Sequence, residues 1–122
     1  MRLPIRLAGF VALLVSSAAL AADLLPLKQG IYVPVGRSCR GASNAEIVNY
    51  WGGNTSIGAS QGECTIKTVS HKGSIYEIND KCRDIQSGDE IVGGPFVIKI
   101  ITFASFRMAG VTYRYCGTKI QF

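Results

Sequence analysis

The chain has 122 residues, with 13 Lys and Arg against 8 Asp and Glu, a single His and four Cys. That length suits one domain and excludes a multidomain enzyme. A net charge of +5, scattered along the chain, does not mark a nucleic-acid surface.

The first element is an export signal. Met1 to Arg6 gives a short basic start, Leu7 to Val15 an apolar run, and Ala19-Leu20-Ala21 a small-residue cleavage pattern. Residues 1–21 are therefore expected to be removed, leaving a single domain over 22–122. Arg2 and Arg6 leave with the signal, so the charge falls to +3 over 101 residues. The expected location is the periplasm or the exterior, with no membrane-spanning segment in the mature chain.

Gly30 to Val35 reads as a strand, ended by Pro34. Arg37 to Asn44 is a polar loop carrying Cys39. Ala45 to Trp51 carries a weak helix-cap signal in Ser43-Asn44. Ile47, Val48, Tyr50 and Trp51 favour extended backbone, however, and Gly52-Gly53-Asn54 supplies a turn. Thr55 to Ala59 would return from it. Cys64 to Ser70 alternates, Lys72-Gly73 turns, and Ser74 to Lys81 follows as the partner strand. Asp84 to Gly88 is a polar connection, and Val92-Gly-Gly-Pro95 reads as a break. Phe96 to Phe103 is the most apolar stretch. It is too short for a transmembrane helix and rich enough in β-branched residues for a central strand. Ala109-Gly110 turns, and Val111 to Cys116 closes the series. Seven or eight short strands without a long helix predict an all-β domain, a small antiparallel barrel or sandwich. A membrane barrel ending at Phe122 is disfavoured, because Arg114 and Cys116 share the parity of that residue.

Cys39, Cys64, Cys82 and Cys116 lie 25, 18 and 34 residues apart, without the close pairs that zinc sites use. An even count in an exported chain predicts two disulfides and no metal site. If each strand reverses on the last, all four cysteines gather near one rim. Placing Cys64 opposite Cys82 then turns Ile66, Tyr76 and Ile78 to one face. Cys64–Cys82 with Cys39–Cys116 is favoured; the two rival connectivities stay open, Cys39–Cys64 with Cys82–Cys116 being the stronger.

Catalytic residues are not evident, and no cofactor is implied. His71 sits in turn composition, and every Cys is expected to be oxidised, which leaves little for nucleophilic catalysis. Glu46, Glu63, Glu77, Asp80, Asp84, Asp89 and Glu90 could supply a glycosidase pair, but no spacing selects two. Asp84, Asp89 and Glu90 read as a solvated turn rather than a calcium loop. Tyr50, Trp51, Tyr113 and Tyr115, with Arg107 and Arg114, offer either core or a recognition face. Trp51, beside a glycine turn, is the residue expected to be exposed for binding.

Gly30-Ile-Tyr32 near the start and Tyr113-Arg-Tyr-Cys116 near the end resemble small periplasmic proteins of Gram-negative bacteria. Among named families the chain is similar, in outline, to the periplasmic or membrane-bound inhibitors of c-type lysozyme. That resemblance implies a non-enzymatic barrel with a loop Ser and a later Lys that enter the lysozyme cleft. The corresponding residues are Ser87, in Ser-Gly-Asp-Glu-Ile, and Lys99. Ile91 stands where the family has an aromatic residue. The expected partner is thus a protein, a cell-wall hydrolase or another envelope protein, and not nucleic acid. A structural envelope module and a small carboxylate hydrolase are the alternatives.

Overall fold

In a computed structural model, residues 22–59 and 62–121 are described. The expected export signal, residues 1–21, and Phe122 lie outside them. Alternation decides the architecture. In Gly62–Lys72 and Ile75–Asp84, Ile66, Ile78 and Asp80 are buried while Glu63, Lys67, Glu77 and Lys81 are exposed. One inward face per strand is what a closed sheet requires.

Eight strands build the sheet: β1 Gly30–Pro34, β2 Val48–Tyr50, β3 Gly58–Ala59, β4 Gly62–Lys72, β5 Ile75–Asp84, β6 Glu90–Thr102, β7 Ser105–Met108 and β8 Val111–Tyr115. The sheet order is β3-β2-β1-β8-β7-β6-β5-β4, and every named pair is antiparallel. The meander therefore returns on itself, first strand beside last. The result is an all-β, nearly closed antiparallel barrel, with no helix among the described residues. At the seam between β3 and β4, Thr55 bridges Thr65, the Ser56 N–H donates to the Cys64 carbonyl, and the Ile66 N–H donates to the Asn54 carbonyl.

Aromatic rings fill the interior on the β1, β7 and β8 side. Tyr32 meets Phe106 and Tyr115 edge-on at 5.1 and 5.4 Å, and Phe106 stacks on Tyr113 at 5.2 Å. Residues 22–29 plug this end. Leu25 and Leu27 are buried in the core, and the Lys28 N–H donates to the Phe103 carbonyl at 2.7 Å. The Tyr32 hydroxyl donates to the Lys28 carbonyl at 2.6 Å, and that of Tyr115 to the Gln29 carbonyl at 2.8 Å. A second small core lies outside the wall, where residues 36–47 fold back over β1 and bury Ile31, Val33 and Ile47.

Both favoured disulfides are present, Cys39–Cys116 and Cys64–Cys82. Cys64 and Cys82 are directly opposed, and Ile66, Tyr76 and Ile78 join one core, as the register argument required. The four cysteines do not share a rim. Cys116 follows the plugged end of β8, and Cys39 reaches it because the 36–47 segment descends the outer wall. Several strand limits also differ from expectation: Thr55 to Ala59 is a strand only at Gly58–Ala59, β4 extends beyond Cys64 to Ser70 at both ends, and β5 extends past Lys81. The run Ala45 to Trp51 is extended only at Val48–Tyr50, because Ser43 accepts the Glu46 and Ile47 N–H groups in a turn. Val92 to Pro95 does not break the chain but lies within β6, where a bulge opposite Asp80 and Cys82 absorbs the glycines. The segment Ser105–Met108, assigned to no element from the sequence, is β7.

Candidate functional site

Opposite the plug the barrel is open, and the β5–β6 loop, residues 85–89, projects there. Asp84 organises this loop. The Ser87 hydroxyl donates to Asp84 Oδ2 and the Gln86 N–H to Asp84 Oδ1, both at 3.1 Å. The Gly88 N–H donates to the Asp84 carbonyl at 2.9 Å, and the Asp89 N–H to Ser87 Oγ at 3.1 Å. The solvated turn expected at Asp84 to Glu90 is thus framed by Asp84 and Ser87, short side chains that bond to nearby backbone. Ile85 is left 61% exposed, an apolar side chain on a fixed loop.

Ile85 is not isolated. It shares a groove of about 230 Å³ with Trp51, on the outer wall over the β3–β4 seam, together with Asn49, Glu63 and Cys64. Trp51 is 45% exposed, and its N–H donates to Thr55 Oγ1 in the turn that follows. Asn49 and Trp51 turn outward because Tyr50 between them is buried. The fold therefore brings Trp51 and the Ser87 loop to one side of the barrel. Lys99 does not join them. It is exposed on β6 between Ile75 and Arg107, nine residues from Glu90, or roughly 30 Å along an extended strand.

Inside the open end is a second feature, a cup of about 450 Å³ lined by Ile57, Ile91, Phe96, Met108, the Cys64–Cys82 disulfide and Asp80. Asp80 is only 7% exposed, and its Oδ2 accepts the Ser56 hydroxyl at 2.7 Å. A Cβ at Gly93 would crowd the Asp80 carbonyl and carboxylate, so glycine makes room for this buried acid. The sequence grouped Asp80 with other acids and gave it no special role. Its parity with Ile78 was the available signal.

The other candidates resolve into structural partners. Glu46 pairs with Arg37 at 2.7 Å, Glu63 with Arg83 at 2.7 Å and Glu90 with Lys81 at 3.6 Å. His71 stacks on Tyr76 at 4.7 Å, with Nδ1 against the Gly73 carbonyl. Tyr50 is fully buried, and Tyr113 and Tyr115 pack against the core. Arg107 bonds Thr112 and Arg114 bonds the Arg37 carbonyl. Of the proposed aromatic–basic face, Trp51 alone is an exposed aromatic ring.

No family model, curated protein or solved structure matches the chain. No helix among the described residues is long and apolar enough to cross a membrane. The two disulfides suit an oxidising, extracytoplasmic setting.

Proposed function

We propose that this chain is a non-enzymatic periplasmic binding protein that inhibits a cell-wall hydrolase of the lysozyme kind by inserting its β5–β6 loop. The observation that carries this reading is the placement of exposed Ile85, on a loop fixed by Asp84 and Ser87, beside exposed Trp51 in one groove. A loop already fixed loses little freedom on docking, and a partly exposed Trp is a favoured anchor. The pairing of Glu46, Glu63 and Glu90 with cations, and of Asp84 with its own loop, favours binding over carboxylate catalysis.

Lysozyme clearing of a cell-wall suspension provides the test. The oxidised protein should slow clearing at micromolar concentration. Trp51→Ala and Ile85→Asp should each weaken inhibition about 10- to 30-fold, the usual loss at an anchor residue. Lys99→Ala should leave inhibition intact, since Lys99 stands far down the wall. An absence of inhibition at micromolar excess, or full potency in both groove variants, overturns the proposal.

A further inference from the structure

The cup inside the barrel mouth adjoins the outer groove at Gly58, Gly62 and Cys64 but has its own chemistry. Asp80 is the one charged side chain among the residues that line it. No Lys or Arg lines the cup: Lys81 and Arg83 are exposed, on the opposite face of β5, and bridge Glu90 and Glu63, while Lys67 and Lys81 border Asp80 only from an adjoining pocket. An acid set among Ile57, Ile91, Phe96 and Met108 selects for positive charge joined to apolar surface, because desolvation of a lone carboxylate is offset best by an opposite charge. The Ser56 bond uses one of about four acceptor positions on a carboxylate, so an ammonium can share the same group. A volume of about 450 Å³ is in the range of small-ligand sites, and the mouths of eight-stranded barrels commonly hold one such ligand.

We propose that the cup binds an amphiphilic primary amine, with its ammonium on Asp80 and its aliphatic body against Ile57, Ile91, Phe96 and Met108. This proposal does not rest on the protein-binding reading, whose anchors Trp51 and Ile85 line the groove and not the cup. The test compares decylamine, decanol and decanoate, each below its micelle concentration, titrated into the oxidised protein at pH 7 and followed by calorimetry. Decylamine should bind at least tenfold more tightly than decanol, and decanoate most weakly. Asp80→Asn keeps an acceptor for Ser56 and should remove the preference for the amine. Ala59→Phe, at an exposed position on the cup wall, should block all three ligands without touching Asp80. Failure of decylamine to bind at millimolar concentration would overturn the proposal. Decanoate binding as tight as that of the amine, an unchanged preference in Asp80→Asn, or binding unaffected by Ala59→Phe would do the same.

Discussion

Tyr32 joins the barrel core to its plug. Its ring is fully buried against Phe106 and Tyr115, while its hydroxyl reaches the Lys28 carbonyl. Burial, followed by the nearby Tyr115, pushes its pKa from the usual 10.0 up to about 12. Burial likewise raises that of Tyr50, whose hydroxyl contacts the Leu25 backbone on the other side of the plug. A phenol that ionises later in the folded state adds stability that is complete below pH 10. Above that pH the unfolded chain releases the proton first, and the stability is lost as pH rises through about 12. Urea unfolding at pH 9 and pH 12 should therefore show a larger loss for the wild type than for Tyr32→Phe. The expected difference is on the order of 2 kcal/mol. Equal losses would mean that Tyr32 reaches solvent. The alternation of the last strand was readable in Val111 to Cys116. The inward choice for Tyr113 and Tyr115 was not, since aromatic residues suit a core and an interface equally well.

At the scale of elements, the two disulfides act on different parts of the chain. Cys64–Cys82 spans 18 residues across a hairpin already held by the β4–β5 ladder. Cys39–Cys116 spans 77 and pins the 36–47 segment over Ile31, Val33 and Ile47. Chain entropy assigns the shorter loop about 3 kcal/mol and the longer about 4.5 kcal/mol. Removing Cys39 and Cys116 together, as alanines, should cost more stability in urea than removing Cys64 and Cys82. It should also deprotect the outer core without opening the cup. The reverse order would show that the 36–47 segment is held by its contacts alone. The hairpin pairing was legible because the register put Ile66 and Ile78 on one face. The descent of 36–47 was not, because polar loop residues carry no period to fix their direction. For the same reason Gly93-Gly94-Pro95 looked like a break, when a bulge lets a strand of 13 residues keep its course.

The whole molecule is a meander closed at one weak place. Among the described residues seven strand pairs share ladders, three of them with a register shift, whereas the seam has one bridge, Thr55 with Thr65, and two backbone bonds beside it. An interior bond reinforces this closure. Ser56, on the segment leading into β3, donates to Asp80 on β5, reaching past β4 from the inside. Both residues are buried, so the bond is made in a medium where a lost partner costs about 1–3 kcal/mol. The loss should fall first on the seam, because the ladder between β5 and β6 does not depend on it. In Ser56→Ala, deuterium exchange should accelerate at the Ser56 segment and Ile66 amides, while amides of the β5–β6 ladder keep their wild-type protection. Cys64–Cys82 stays intact in that variant and holds β4 to β5, so the barrel opens between β3 and β4 rather than unfolding as a unit. Uniform acceleration across all strands would place the closure elsewhere and make Asp80 a contributor to global stability instead of a buckle at the mouth.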